Sequence, residues 1–144
     1  MNPALVLLIA LVGGIAVALQ AQFAGVLDGR MGAFDAVTVA FVSAAVVVAV
    51  ARVATGSIDL AVWRSAPWWA YLVGILGLVI VGAIGFATPR IGLVPTLATV
   101  TVAQFATSAT VAHFGWFEGT PDPVDLETVA GIALLCVGGW LVIR

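Results

Sequence analysis

The sequence predicts an all-α membrane protein, a bundle of five transmembrane helices in one integral domain covering residues 1–144. Three observations carry that expectation. Hydrophobic residues make up 63% of the chain and charged residues only 8%, with a mean hydropathy of +1.24. A water-soluble domain carries roughly 25% charge, so a soluble globular fold is excluded. The apolar residues also fall into five runs, each parted from the next by Gly, Pro or Asp, at 3–27, 35–54, 67–87, 91–117 and 128–143. Several runs are rich in Val, which in water would favour strands, but an open strand in a bilayer leaves its edges unpaired and helix is the state that remains.

The first run is too long, and too poor in basic residues at its start, for a secretory signal peptide, and is expected to stay attached as a spanning helix. Gln20 and Gln22 lie about 200° apart on it, so only one can face a given partner. Gly13, Ala16 and Ala24 fall on the side of Gln20 and give it a small-residue surface; Gln20 is therefore the candidate for the interior. Asp28-Gly29-Arg30-Met31-Gly32 reads as a tight connection at the headgroups. The second run contains Thr38 and Ser43 and is otherwise Val and Ala. Trp63, Trp68 and Trp69 border the next connector, as boundary tryptophans do, and Pro67 suits the first turn of a third helix that carries Gly74, Gly77, Gly82 and Gly85 on one broad arc. Thr88-Pro89-Arg90 is expected to end it, because a residue before Pro avoids the helical region.

The fourth run is the polar one. It holds Thr96, Thr99, Thr101, Gln104, Thr107, Ser108 and Thr110. At about 100° per residue from Thr96, Thr107 falls near 20°, Gln104 near 80° and Ser108 near 120°, an arc centred on Gln104 and Thr107. A bare amide in hydrocarbon costs several kcal/mol, so this face should look at other helices or at a wet cavity. Two readings stand side by side: hydroxyls and amides that glue helices together, or the wall of a transport pathway. Pro95 is tolerated near the helix start. His113, the one histidine, closes the run as a boundary residue or as a candidate proton site.

Residues 118–127, EGTPDPVDLE, form an acidic connector. It lacks the alternating ligands and central Gly of a calcium loop, and no metal is assigned to it. The fifth run, with Gly131, Gly138 and Gly139, ends at Arg144. Cys136, the lone cysteine, is a packing residue. With the acids in loops or at helix ends and one His without a Cys or carboxylate at ligand spacing, neither a zinc site nor a hydrolytic triad is expected, and no cofactor or enzymatic activity is assigned. A net charge of −2 without any Lys argues against nucleic acid as a partner.

Five spans put the termini on opposite sides. Arg52 and Arg64 then face one way and Arg30, Arg90 and Arg144 the other, almost no orientation bias, as an antiparallel homodimer needs; a heterodimer with an inverted paralogue fits the same geometry.

The segments GIAVALQAQFAGVLDGRMG at 14–32, Pro67-Trp68-Trp69, VAQFATS at 102–108, His113-Phe114-Gly115 and 131–142 resemble the YdcZ family of the drug/metabolite transporter superfamily, over nearly the whole chain. Gln20, Gln104 and Ser108 match that family's polar positions, whereas Ala24, Ala103 and Ala112 stand where members often have Asn, Gly and Asp. Loss of that Asp disfavours a carboxylate-driven mechanism. The resemblance implies one half of a ten-helix transporter, with helices 1, 3 and 4 lining a cavity. It further implies a multi-pass protein of the bacterial inner membrane that exports a small solute as an antiparallel dimer by alternating access. Gln20, Thr96, Gln104, Thr107 and Ser108 are then the expected solute contacts. An accessory membrane subunit without transport of its own is the alternative.

Overall fold

The structure is a computed structural model that describes residues 2–56 and 66–144. The connector around Asp59, Trp63 and Arg64 lies outside the described residues. Among the described residues five α-helices carry the fold: α1 Pro3–Met31, α2 Ala33–Thr55, α3 Val73–Ile91, α4 Leu93–Phe114 and α5 Leu126–Ile143, with a 3-10 turn at Trp68–Leu72 leading into α3. Among the described residues, α1, α2, the Trp68–Ile91 stretch and α5 are long and apolar enough to cross a membrane. α4, with 22 residues, has the length but is diluted by its hydroxyls and amides.

Local chemistry sets the helix ends. Asn2 caps α1 by accepting the Ala4 N–H at 3.0 Å, with Pro3 in the first turn where its missing donor costs nothing. α1 then runs through the expected Asp28–Gly29–Arg30 connection and stops at one residue, Gly32, whose φ of 86° is open to glycine and poor for other residues. Its N–H donates to the Asp28 carbonyl at 2.9 Å, and its own carbonyl accepts from Ala36 at 3.0 Å, so two helices join with no loop between them. The Asp and Gly content suited a water-exposed turn, but in a helix these backbone groups are already satisfied, and Asp28 finds a cation instead of water.

α3 likewise continues past Thr88-Pro89 to Ile91. Pro89 removes one intrahelical donor, and Thr88 Oγ1 donates to the Ile84 carbonyl at 2.7 Å beside it. The break comes at Gly92, with φ 90° and ψ 157° against 86° and 163° at Gly32. Pro95 falls in the first turn of α4 and makes no interior kink. α4 ends at Phe114 because Gly115 turns left-handed at φ 62°; a Cβ there would meet Pro121 Cγ at 2.8 Å. Asp125 caps α5, accepting the Thr128 N–H at 2.7 Å.

The described chain forms two compact units, Met1–Arg90 and Ile91–Arg144. In the first, α1 packs on α2 and α3 crosses α1 at two glycines. A Cβ on Gly25 would sit 2.8 Å from Thr88 Cγ2, and one on Gly85 would sit 3.5 Å from the Ala24 Cβ and carbonyl oxygen. α3 meets α2 through Gly77 against Phe41 and Gly82 against Val37. The expected glycine arc is thus partly a packing seam, although Gly74 has open space around it. In the second unit α5 lies on α4, with Gly139 against Val102. Buried hydrophobic side chains are small, Ala21, Ala24 and Ala36 with Ile84, while Leu7, Leu11, Val47 and Ile75 are exposed. Large aliphatics outside and small residues inside is the arrangement a bilayer favours, since lipid is as apolar as Leu and close backbone approach gives the packing energy.

One regularity ties these features together. Ala24, Gly25, Asp28 and Ala36 are buried, and sixty residues on so are Ile84, Gly85, Thr88 and Thr96. Gly14, Ile15, Arg30 and Gly32 recur in the same register as Gly74, Ile75, Arg90 and Gly92. The α1–α2 stretch is therefore repeated, in sequence register and burial, by the α3–α4 stretch.

Candidate functional site

Gln20 lies on the wall of an open groove of about 660 Å³ between α1 and α2, with Phe23 and Ala24 beside it, Val39 and Ser43 opposite, and Val81 from α3. Gln22 is not among the lining residues, as the helical spacing anticipated. The rest of the lining is Ala, Leu, Phe and Val, so Gln20 and Ser43 supply the groove's polar side chains. Ser43 Oγ donates to the Ala40 carbonyl at 3.0 Å, which leaves its oxygen free to accept. Sequence reasoning passed over α2 as a lining helix. Ser43 is one polar residue in a Val and Ala run, a signal too thin to separate from back-bonding to its own helix.

On α4 the polar residues divide into two groups, with the half-buried Thr101 in neither. Thr96, 2% exposed, donates to the Gly92 carbonyl at 2.8 Å; Thr99 donates to Pro95 and Thr110 to Ala106, each at 2.9 Å. These hydroxyls are satisfied by their own helix. Gln104, Thr107 and Ser108 are exposed and share one stretch of α4. Among the described residues neither the Gln20 and Gln104 amides nor the Thr107 and Ser108 hydroxyls carry a hydrogen bond. Such groups in a hydrocarbon setting need a partner, and a solute, water or a second chain can supply it. Chemically the arrangement offers uncharged donors and acceptors on an apolar background.

His113 has a defined task at the end of α4. Its Nδ1 accepts the Val124 N–H at 3.1 Å, and its ring stands edge-on to Phe114 at 4.9 Å. Next to it the Asp122 N–H donates to the Ala112 carbonyl at 2.8 Å, so the acidic connector folds back on the helix end. With Nδ1 accepting, the neutral ring carries its proton on Nε2. Phe114 stacks with Trp116 at 5.3 Å, an aromatic pair suited to the membrane boundary. On the same connector, the Thr128 side chain first and its backbone N–H second hold the Asp125 carboxyl below the usual carboxylate range.

The clearest departure from the sequence reading is a charge inside a helix. Asp28, expected in a connection at the headgroups, has a side chain only 6% exposed within α1 and receives Arg90 Nη1 of α3 at 3.1 Å. The same Nη1 donates to the Phe86 carbonyl, and the guanidinium lies 3.5 Å over the Phe86 ring. It is the one ion pair among the described residues. Arg-Met-Gly at 30–32 and Arg-Ile-Gly at 90–92 are the sequence signal that both arginines sit two residues before the glycine that breaks the helix.

Long apolar helices, small-residue crossings and free uncharged polar groups on two of the helices define a multi-pass α-helical membrane protein. A family model described as "Putative inner membrane exporter, YdcZ" matches residues 5–141, and the chain belongs to that family, which places it in the inner membrane. No curated protein and no solved structure matches it.

Proposed function

We propose that the chain exports a small, uncharged or zwitterionic solute by alternating access as an antiparallel dimer, resembling half of a ten-helix transporter. The pathway is lined by α1, α3 and α4, and its partner is a second copy or an inverted paralogue. The observation that carries this reading is the set of free polar groups, Gln20, Gln104, Thr107 and Ser108, in a chain whose other intramembrane hydroxyls are largely bonded to their own helices. Each of the four binds solute by neutral hydrogen bonds worth roughly 0.5–2 kcal/mol. Thr96, already engaged with Gly92, shapes the start of α4. Transport runs down the solute gradient or couples only weakly to protons, because Asp28 is committed to Arg90 and His113 to the connector.

The test is counterflow of a panel of neutral and zwitterionic solutes in liposomes holding only this protein. Saturable flux in the wild type, lost in Gln104→Leu and Thr107→Val with fold and dimer intact, supports the pathway. No saturable flux from any form moves the chain to the accessory-subunit reading.

A further inference from the structure

Apart from the ion pair, the α1–α3 crossing is built from contacts that have no direction. Gly25 meets the methyl of Thr88, whose hydroxyl is turned to Ile84, and Gly85 meets Ala24. Asp28–Arg90 is the crossing's one directional bond, and it lies toward the end of both helices. Its two members are unequally dependent on it. Arg90 is half exposed and keeps the Phe86 carbonyl and ring on its own helix, so it stays satisfied when the pair parts. Asp28 sits three residues from the end of α1, where a small separation lets water reach the carboxylate.

The sixty-residue register shows that the pair is one-sided. Arg90 corresponds to Arg30, but Asp28 corresponds to Thr88, so the pair's counterpart in register has a cation and no carboxylate. Asp28 and Arg90 both lie toward the C-terminal ends of their helices, so the latch acts at that end of the crossing. The geometry points to Asp28 and Arg90 as a gating pair for transport: the latch closes one end of the α1–α3 crossing, which pivots on Gly25 and Gly85. This inference rests on the antiparallel dimer proposed above. There, inversion of one copy puts one latch toward each face of the membrane, and opening one while the other closes is the exchange that alternating access requires.

Pulsed electron resonance distances test it without a solute. Spin labels go on Gly29→Cys and Ile91→Cys in a Cys136→Ser background, with labelled chains diluted into unlabelled ones in lipid nanodiscs. Wild type is expected to show a short and a long distance. Asp28→Asn and Arg90→Gln each shrink the short population about tenfold, the weight of one charge-assisted hydrogen bond. Arg90→Lys and the exchange Asp28→Arg/Arg90→Asp restore it; if the exchange does not fold, the Lys and Gln variants decide alone. One unchanged distance in every variant overturns the gating pair, as does a loss in Arg90→Gln that Arg90→Lys fails to reverse. Responsive distances without any solute flux keep the latch and sink the transport reading; flux with unresponsive distances does the reverse.

Discussion

Gly25 shows how little room the fold leaves at its crossing. Added Cβ atoms at Gly25 and Gly14 differ sharply: the first meets Thr88 Cγ2 at 2.8 Å, the second meets nothing within 4 Å. Gly25→Ala is expected to destabilise by about 1–3 kcal/mol, as overpacking does, and Gly25→Ala/Thr88→Ala should recover little of the loss, because the Cβ at position 88 stays 2.9 Å from the added atom. Gly14→Ala should be neutral or mildly stabilising through helix propensity. Reversible unfolding in mixed micelles compares the three, and equal losses at Gly14 and Gly25 would refute the packing argument. His113 permits an equally local test. Asn carries an acceptor near the place of Nδ1, whereas the Gln acceptor lies further out. His113→Asn should keep the Val124 amide slow to exchange, and His113→Gln should speed it while leaving downhill flux nearly intact. Proton-driven accumulation that disappears in both variants would instead make His113 a proton site.

At the scale of helices, Asp125 and Gly32 show what can be read from a sequence and what cannot. The Asp125 carboxyl titrates below its unfolded value, close to 3.8. The cap therefore contributes fully above that pH and is lost as pH falls through the lower, folded value. Protection of the Thr128 amide, measured against the intrinsic rate, should fall below about pH 4 relative to neighbouring amides, and Asp125→Asn should remove that extra loss. The number and order of the helices were legible because lipid leaves helix as the one option for long apolar runs. Their ends were less so. Asp28-Gly29-Arg30 and Thr88-Pro89-Arg90 carry the residues of water-exposed turns, yet both stretches are helical, with Asp28, Thr88 and Arg90 finding partners on neighbouring turns or helices. Gly115, placed inside the expected fourth span, ended α4 through a left-handed cap that apolar periodicity does not encode.

For the molecule as a whole, Gln20, Gln104, Thr107 and Ser108 stood out in the sequence because amides and hydroxyls are conspicuous on an apolar background. Asp28 and Arg90 did not, since an ion pair between residues 62 apart leaves no local pattern. The near balance of arginines bears on orientation. Single cysteines in the 118–127 connector, in Cys136→Ser, should label from both membrane faces with an impermeant reagent; labelling from one face alone would remove the dual-topology homodimer. The most direct test of the central claim is solute counterflow in liposomes containing only wild type, Gln104→Leu or Thr107→Val. The account predicts saturable flux in the wild type and a fall of about two- to thirtyfold in each variant, the equivalent of one lost neutral hydrogen bond of roughly 0.5–2 kcal/mol. Variants that keep their fold and dimer and transport as well as the wild type would contradict it.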